Sequence, residues 1–475
     1  MIPNTRTVPY PYQSRVIVEA LRNLRATGFH GLFLDMGTGK TITTLYAYET
    51  LLQEQAVDHL IIIAPKALLT TWTDEMTKHL EKRDSLTWKK LGAKTQEKAL
   101  AAFPAQPGKV FIVNVEAFQT LNAVLHSFLD KLLNGSRCLM AIDESSFIAS
   151  PSANRTKAVL KLAEGARYRM ILTGTEIKNS CLDLYTQFKF LRHDFWEPLQ
   201  GFYAFRYRYA ILEKDYGPGG RSFDVVVGYQ RQDELMAKIA PHVSRIKKEE
   251  VLDLPPKRYQ DVWLDMPGEM RRVYDELKCS LIAQYDGQEL TVANAAVLFG
   301  RFRQLVGGHF PGAGNMVTLK DNMKLQYLVD DIADTTEKVC VWACFTEEIR
   351  LLHRAISDSL PLYGEISQEA REDAKTAFRD GSCRVLIANP AVAAFGLNLQ
   401  FCRLVYWYSN PVSMVQRLQA DERFHRPGVT GSVLYKDLLY RDSIDVRVKQ
   451  LLENKMETRE LFRNGTSVKD FLNTF

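Results

Sequence analysis

The chain has 475 residues, more than one hydrophobic core usually supports, so two or more domains are expected. Its 46% hydrophobic and 25% charged residues are ordinary for a soluble globular protein. Lys+Arg of 61 against Asp+Glu of 56 leaves a net charge of +5, which permits nucleic-acid contact through a local groove without arguing for it.

The opening Met1-Ile2-Pro3-Asn4 lacks the basic and apolar regions of a signal peptide, and runs such as Leu60 to Ala64 are too short to span a bilayer. Seven scattered cysteines (138, 181, 279, 340, 344, 383 and 402) fit a reduced, cytoplasmic compartment. Cys340 and Cys344 sit in a stretch that reads as a buried strand and not as a zinc site.

Tyr10-Pro11-Tyr12-Gln13 precedes a helical pattern, and the Gln13 amide offers a donor and an acceptor that match an adenine edge. Next, the apolar Leu32-Phe33-Leu34 runs into Asp35-Met36-Gly37-Thr38-Gly39-Lys40-Thr41 and then a helical stretch from Ile42 to Leu52. This is the layout of a phosphate-binding loop, in which glycines turn backbone N–H groups around a polyphosphate and the helix dipole faces the same charge. Lys40 would pair with the β- and γ-phosphates, and Thr41 would offer a hydroxyl to Mg2+. The strict pattern places a glycine at position 34, where this chain has Leu34.

Apolar runs at 31–35, 60–64, 110–114, 138–142 and 169–172 alternate with amphipathic stretches, which predicts a parallel sheet covered on both faces. Strand 138–142 ends in Asp143-Glu144; Asp143 would hold the metal and Glu144 would deprotonate the attacking water. Leu172-Thr173-Gly174-Thr175 ends a further strand on the same predicted edge. Residues 195–253 interleave aromatics with arginines, including Arg206 and Arg208, and a hairpin-like projection is expected near 209–228. After Leu254-Pro255-Pro256-Lys257, where two prolines stop a helix, strands at 259–265, 338–345, 384–388, 403–408 and 432–436 begin a second alternation. A helical insertion at about 279–319 interrupts it. Near the end, Arg423 and Arg426 are three apart and would share one helix face, a pair suited to the spreading charge of a γ-phosphate.

In order, these segments resemble the superfamily 2 helicases and translocases of the Swi/Snf-type branch, from Tyr12 to about Phe462. Tyr12-Gln13 resembles the adenine-reading Gln motif, Asp35 to Thr41 motif I, and Ile62 to Leu68 with Trp72 and Glu75 motif Ia. Asp143 to Ser146 stands at motif II and Ile171 to Thr175 with Asn179 at motif III. Val341 to Phe345 resembles motif IV, Phe395-Gly396-Leu397-Asn398-Leu399 motif V, and Gln419 to Gly428 motif VI. Motif II lacks the usual histidine at Ser146, Glu176 replaces a usual proline, and Val429 a frequent glutamine. The compact length and the Asp-Glu-Ser-Ser form look most like bacteriophage-encoded members, some of which remodel replication forks or migrate branched DNA.

The resemblance implies an α/β fold of two RecA-like lobes with ATP in the cleft between them: lobe 1 over 1–195, an accessory segment with the hairpin over 196–254, and lobe 2 over 255–475. It implies ATP and Mg2+ as the groups bound. Gln13, Met36, Gly37, Thr38, Gly39, Lys40, Thr41 and Gly396 would bind ATP; Lys40, Asp143, Glu144, Arg423 and Arg426 would act in catalysis. Thr173, Thr175 and Gln419 would couple the two, and Lys66, Asn114, Asn389, Asn398, Arg206 and Arg208 would meet DNA. The expected activity is ATP-driven movement on double-stranded or branched DNA, by a monomer or weak oligomer, with other replication or recombination proteins as possible partners. The alternatives are an RNA helicase and a nucleotide-gated DNA-binding subunit that does not unwind.

Overall fold

The computed structural model describes residues 5–80, 85–87, 107–119, 123–174, 180–216, 222–284, 292–311, 316–393, 397–426 and 428–453. The chain divides into two compact units, Met1–Leu252 and Asp253–Phe475, each built on its own parallel sheet. Among the described residues no helix is long and apolar enough to cross a membrane.

The sheet of the first unit contains β1 (Phe29–Leu34), β2 (His59–Ala64), β3 (Ser85–Thr87), β4 (Lys109–Asn114), β5 (Cys138–Asp143), β6 (Tyr168–Thr173) and β9 (Val243–Ile246), in the order β3-β4-β2-β5-β6-β1-β9. Every pairing is parallel, so all seven carboxyl ends lie along one edge. The central strands β2 and β5 read as almost unbroken apolar runs because both faces are covered. Alternation within β2 shows it: Leu60 and Ile62 join the core under helices Pro11–Thr27 and Lys40–Gln53, while Ile61 and Ile63 join the opposite core with Phe111 and Phe188.

The segment 196–254, expected as an accessory between the lobes, falls into the first unit as far as Leu252. Helix Gly201–Tyr209 leads into an antiparallel pair, β7 (Ala210–Tyr216) and β8 (Ser222–Tyr229), which forms its own two-stranded sheet at the place expected for the hairpin. The turn 217–221 lies outside the described residues. β9 then pairs with β1, and a Cβ at Gly31 would come within 2.7 Å of Val243, so glycine is what lets the two strands approach. A buried polar chain clasps the join. His30 bonds Ser244 Oγ at 2.9 Å and Asn23 at 3.0 Å, Ser244 bonds Glu19, and Asn23 donates to the Pro241 carbonyl at 2.9 Å. Burial pushes the His30 pKa down to about 3, so this clasp works with a neutral imidazole.

The second sheet runs β10-β17-β16-β13-β15-β14, again wholly parallel: β10 (Lys257–Leu264), β13 (Val339–Trp342), β14 (Ser359–Leu362), β15 (Val385–Ala388), β16 (Leu404–Trp407) and β17 (Val433–Tyr440). The expected insertion consists of helices Gly268–Gln284 and Val292–Val306 and the small ribbon β11 (His309–Pro311) with β12 (Met316–Thr318). It is seated by Tyr274, Phe302 and Leu305 against Tyr440, Ile444 and Val448.

Candidate active site

At the carboxyl edge of the first sheet, β1 ends at Leu34 and the chain turns through Asp35–Gly39 into helix Lys40–Gln53. Gly39, at φ +103°, is the turning point, and a Cβ there would lie 2.3 Å from the Gln13 side chain. Only glycine satisfies both demands. Gln13 is buried against this loop: its Nε2 donates to the Thr38 carbonyl at 3.2 Å and to the Tyr12 hydroxyl, and its Oε1 accepts from Tyr10 N at 2.9 Å. The amide is therefore fixed to the phosphate loop as well as facing the stacked rings of Tyr10 and Tyr12.

Lys40 Nζ donates to the Leu34 carbonyl at 2.8 Å and approaches that of Asp35 at 3.5 Å. Position 34, where the strict pattern has glycine, is the last strand residue, and its carbonyl receives the lysine. Met36, Gly37 and Thr41 are at the loop surface, while Thr38 is buried and bonds Asp35 O through its hydroxyl at 2.7 Å.

β6 lies between β1 and β5, so Thr173 ends, buried, between the loop and the acidic strand end. Asp143 is buried; Oδ2 accepts from Trp72 Nε1 at 2.9 Å and Oδ1 from Glu144 N at 3.0 Å. Burial, with the Glu144 charge beside it, pushes the Asp143 pKa up to about 6, while Lys40 pulls the other way. A buried carboxylate in that condition fits a site for a divalent cation, which would replace the missing countercharge. Glu144 is also buried and sits at φ 51°, a left-handed backbone that glutamate rarely adopts and that turns its side chain out of the strand's alternation. Ser145, next in line, bonds Gln187 on helix Leu184–Leu191. Trp72 had only a motif resemblance in the sequence, and its bond to Asp143 had no local signal.

On neighbouring strand ends, Lys66 follows β2 and Asn114 closes β4. Glu116 joins them, accepting from Lys66 N at 3.3 Å and from Asn114 Nδ2 at 3.3 Å. Arg206 and Arg208, expected to hold phosphates, are turned to the hairpin and its support. Arg206 donates to the Asp224 carbonyl at 2.6 Å, and Arg208 makes a two-pronged pair with Glu234 at 2.7 and 2.9 Å. In that helix Phe205 and Tyr209 are buried while Tyr203 and Tyr207 are exposed.

In the second unit, helix Met414–Asp421 stops before both arginines, so they do not share a helix face as expected. Phe424, fully buried against Trp342 and Tyr435, draws the chain inward, and Arg423 N and Phe424 N close tight turns onto Ala420 and Asp421. The arginines are instead matched by their bonds: Arg423 Nε donates to Gln419 O at 3.1 Å and Arg426 Nε to Glu422 O at 3.2 Å, each four residues back. The platform beneath is a buried ion network in which Arg417 bonds Asp421 at 3.1 Å and Asp437 at 2.6 Å under the Trp407 ring, with Lys449 reaching Asp437 at 2.6 Å. Asp421 is thereby committed to Arg417, and Glu422 pairs with Lys257. Asn389 Nδ2 donates to Cys344 O at 2.9 Å, tying the end of β15 to that of β13, and Asn398 is exposed between buried Leu397 and Leu399. Thr175, Asn179 and Gly396 lie outside the described residues.

A model of the SNF2-related domain matches residues 12–306, and one of the helicase conserved C-terminal domain matches 323–428. The DNA annealing helicase and endonuclease ZRANB3 of Homo sapiens is 24% identical over 97% of this chain and 41% of its own length. The putative ATP-dependent helicase/translocase YwqA of Bacillus subtilis is 25% identical over 95% of this chain and 48% of its own. The chain thus spans under half the length of these curated relatives. A solved Sulfolobus solfataricus SWI2/SNF2 ATPase core in complex with dsDNA aligns over 97% of this chain and 93% of its own, with 20% identity and a TM-score of 0.45.

Proposed function

The chain belongs to the SNF2-related helicases, a family of ATP-dependent enzymes, and from that premise we propose that it hydrolyses ATP to move along double-stranded or branched DNA. The observation that carries this reading is the meeting, on one edge of the first sheet, of the Gly37–Lys40 loop, the buried Asp143 and the conformationally forced Glu144.

The backbone of the loop and Lys40 hold the β- and γ-phosphates, the lysine leaving the Leu34 and Asp35 carbonyls for the stronger anionic partner. Gln13, bonded to the loop from helix Pro11–Thr27, presents its remaining amide capacity to adenine, with Met36 and Gly396 completing the nucleotide contacts. Thr41 and Asp143 would hold Mg2+, which when bound offsets charge on the phosphate oxygens. Glu144 takes the proton of the attacking water as its oxygen bonds to the γ-phosphorus and the bond to ADP breaks. Arg423 and Arg426 of the second unit take up the charge spread over the transferring group. Thr173, Thr175 and Gln419 relay nucleotide state to the DNA-facing segments.

Lys66 and Asn114 in the first unit, and Asn389 and Asn398 in the second, face phosphates of DNA, giving affinity with little sequence preference. Arg206 and Arg208 serve DNA binding through the hairpin they brace and not as free phosphate ligands. Fork remodelling or branch migration is the outcome this reading favours. ATP hydrolysis measured with duplex, forked and single-stranded DNA and with RNA as activators tests it. Stimulation by duplex or forked DNA is expected; preferential stimulation by RNA, or none by any nucleic acid, overturns it.

A further inference from the structure

The side chain of the loop residue Asp35 has no part in the chemistry above, yet it is bonded to a segment more than two hundred residues away. Its carbonyl accepts from Thr38 N at 3.3 Å, from the Thr38 hydroxyl at 2.7 Å and from Lys40 Nζ at 3.5 Å. Its own N–H donates to Ile246 O at 3.1 Å, at the end of β9, and its carboxylate Oδ2 accepts from Lys248 N at 2.8 Å. Lys248 begins the short helix Lys248–Val251, which closes one residue before the boundary between the two units at Leu252. The clasp of His30, Ser244 and Asn23 ties β9 to β1 on the far side of these bonds. One residue of the phosphate loop is thus bonded at its backbone to the catalytic lysine and at its side chain to the segment that leads into the second unit.

We propose that Asp35 is a positioning residue that transmits the state of the phosphate loop to the Lys248–Leu252 tether. Lys40 Nζ donates to the Leu34 carbonyl and approaches that of Asp35, so this peptide carries the lysine. A polyphosphate that takes Lys40 relieves both carbonyls, and the change at Asp35 reaches Lys248 through the carboxylate. The proposal rests on the nucleotide-binding reading of the loop, and its test separates the two.

Hydrogen exchange of the Glu249–Leu252 amides is measured with and without AMP-PNP and Mg2+, while a fluorescent-nucleotide titration records binding itself. In the wild-type chain, nucleotide slows exchange of these amides by about fivefold or more, the low end of ordinary coupling between sites. Asp35→Ala abolishes that protection, whereas Asp35→Asn, whose side-chain carbonyl still accepts from Lys248 N, keeps it. Lys248→Pro removes the donor at the first helical position, where proline is tolerated, after Lys247 with its compatible φ of −88° and ψ of 139°. It breaks the same bond from the donor's side and should lose the protection as Asp35→Ala does. Wild-type protection that survives Asp35→Ala, loss that Asp35→Asn does not restore, or a tether indifferent to bound nucleotide overturns the proposal. A wild-type chain that binds no nucleotide removes the underlying reading, and the proposal with it.

Discussion

Replacing Trp72 by phenylalanine deletes the indole N–H that Asp143 accepts at 2.9 Å and leaves an aromatic ring in a site only 1% exposed. A hydrogen bond to a buried charged group contributes about 1.5–3 kcal/mol. At about 1.36 kcal/mol per pKa unit, its loss raises the Asp143 pKa by roughly one to two units. That carboxyl already stands at about 6, raised first by burial and then by the Glu144 charge. Only its ionised form holds a cation, so the loss moves the group further toward its protonated form near neutral pH. The acid limb of kcat/KM for ATP should therefore move up by about one to two pH units, with activity regained above about pH 9. Added Mg2+ should restore part of the loss at pH 7, because cation and proton compete for the same oxygens. Steady-state ATP hydrolysis across pH, beside circular dichroism and Tm to confirm the fold, is the assay. An acid limb that does not move in a folded Trp72→Phe protein refutes the reasoning.

Glu144→Gln should retain ATP and slow cleavage by about 10²-fold or more, seen in single-turnover quench experiments, because only the base is removed. Arg426→Ala should lower kcat by about 10³-fold, as for arginines that meet a transferring phosphoryl group, and steady-state turnover reads it. DNA affinity by fluorescence anisotropy should fall linearly in log–log form with salt and vary little with base sequence, as phosphate contacts require. Burial pushes the Glu348 pKa up to about 7 from 4.5, so between those values the folded chain keeps a proton that the unfolded chain has released. Stability should then fall by up to about 3 kcal/mol as pH rises through that window, and Glu348→Gln should flatten the fall in denaturant titrations.

Strands that end on chemistry were legible because both signals are local. The apolar run before Asp143-Glu144 and the one before Gly37 to Lys40 each announce a buried strand and what it delivers. β9 was not legible: Val243-Ser244-Arg245-Ile246 is four residues with two polar ones, and its place beside β1 depends on Gly31 and His30, more than two hundred residues earlier. For the same reason Asp35–Lys248 had no signal, its partners being 213 positions apart. The shared helix face expected for Arg423 and Arg426 failed on tertiary grounds, since spacing alone could not show that Phe424 would be buried and end the helix. The aromatic and arginine alternation at 202–209 is better explained by packing, with Phe205 and Tyr209 inward and Arg208 on Glu234, than by free phosphate ligands.

The order of synthesis gives β9 a further consequence. The ribosome releases β1 early and β9 more than two hundred residues later, so the edge of β1 beside Gly31 stays without its neighbour while the rest of that sheet can already assemble. An open strand edge of this length is a template for pairing with other chains. The nascent protein therefore has a window, closing only once Ile246 is free of the exit tunnel, in which the outer edge of β1 stays unpaired. A fragment cut at the apparent end of the first lobe, near residue 195, would remain in that window permanently.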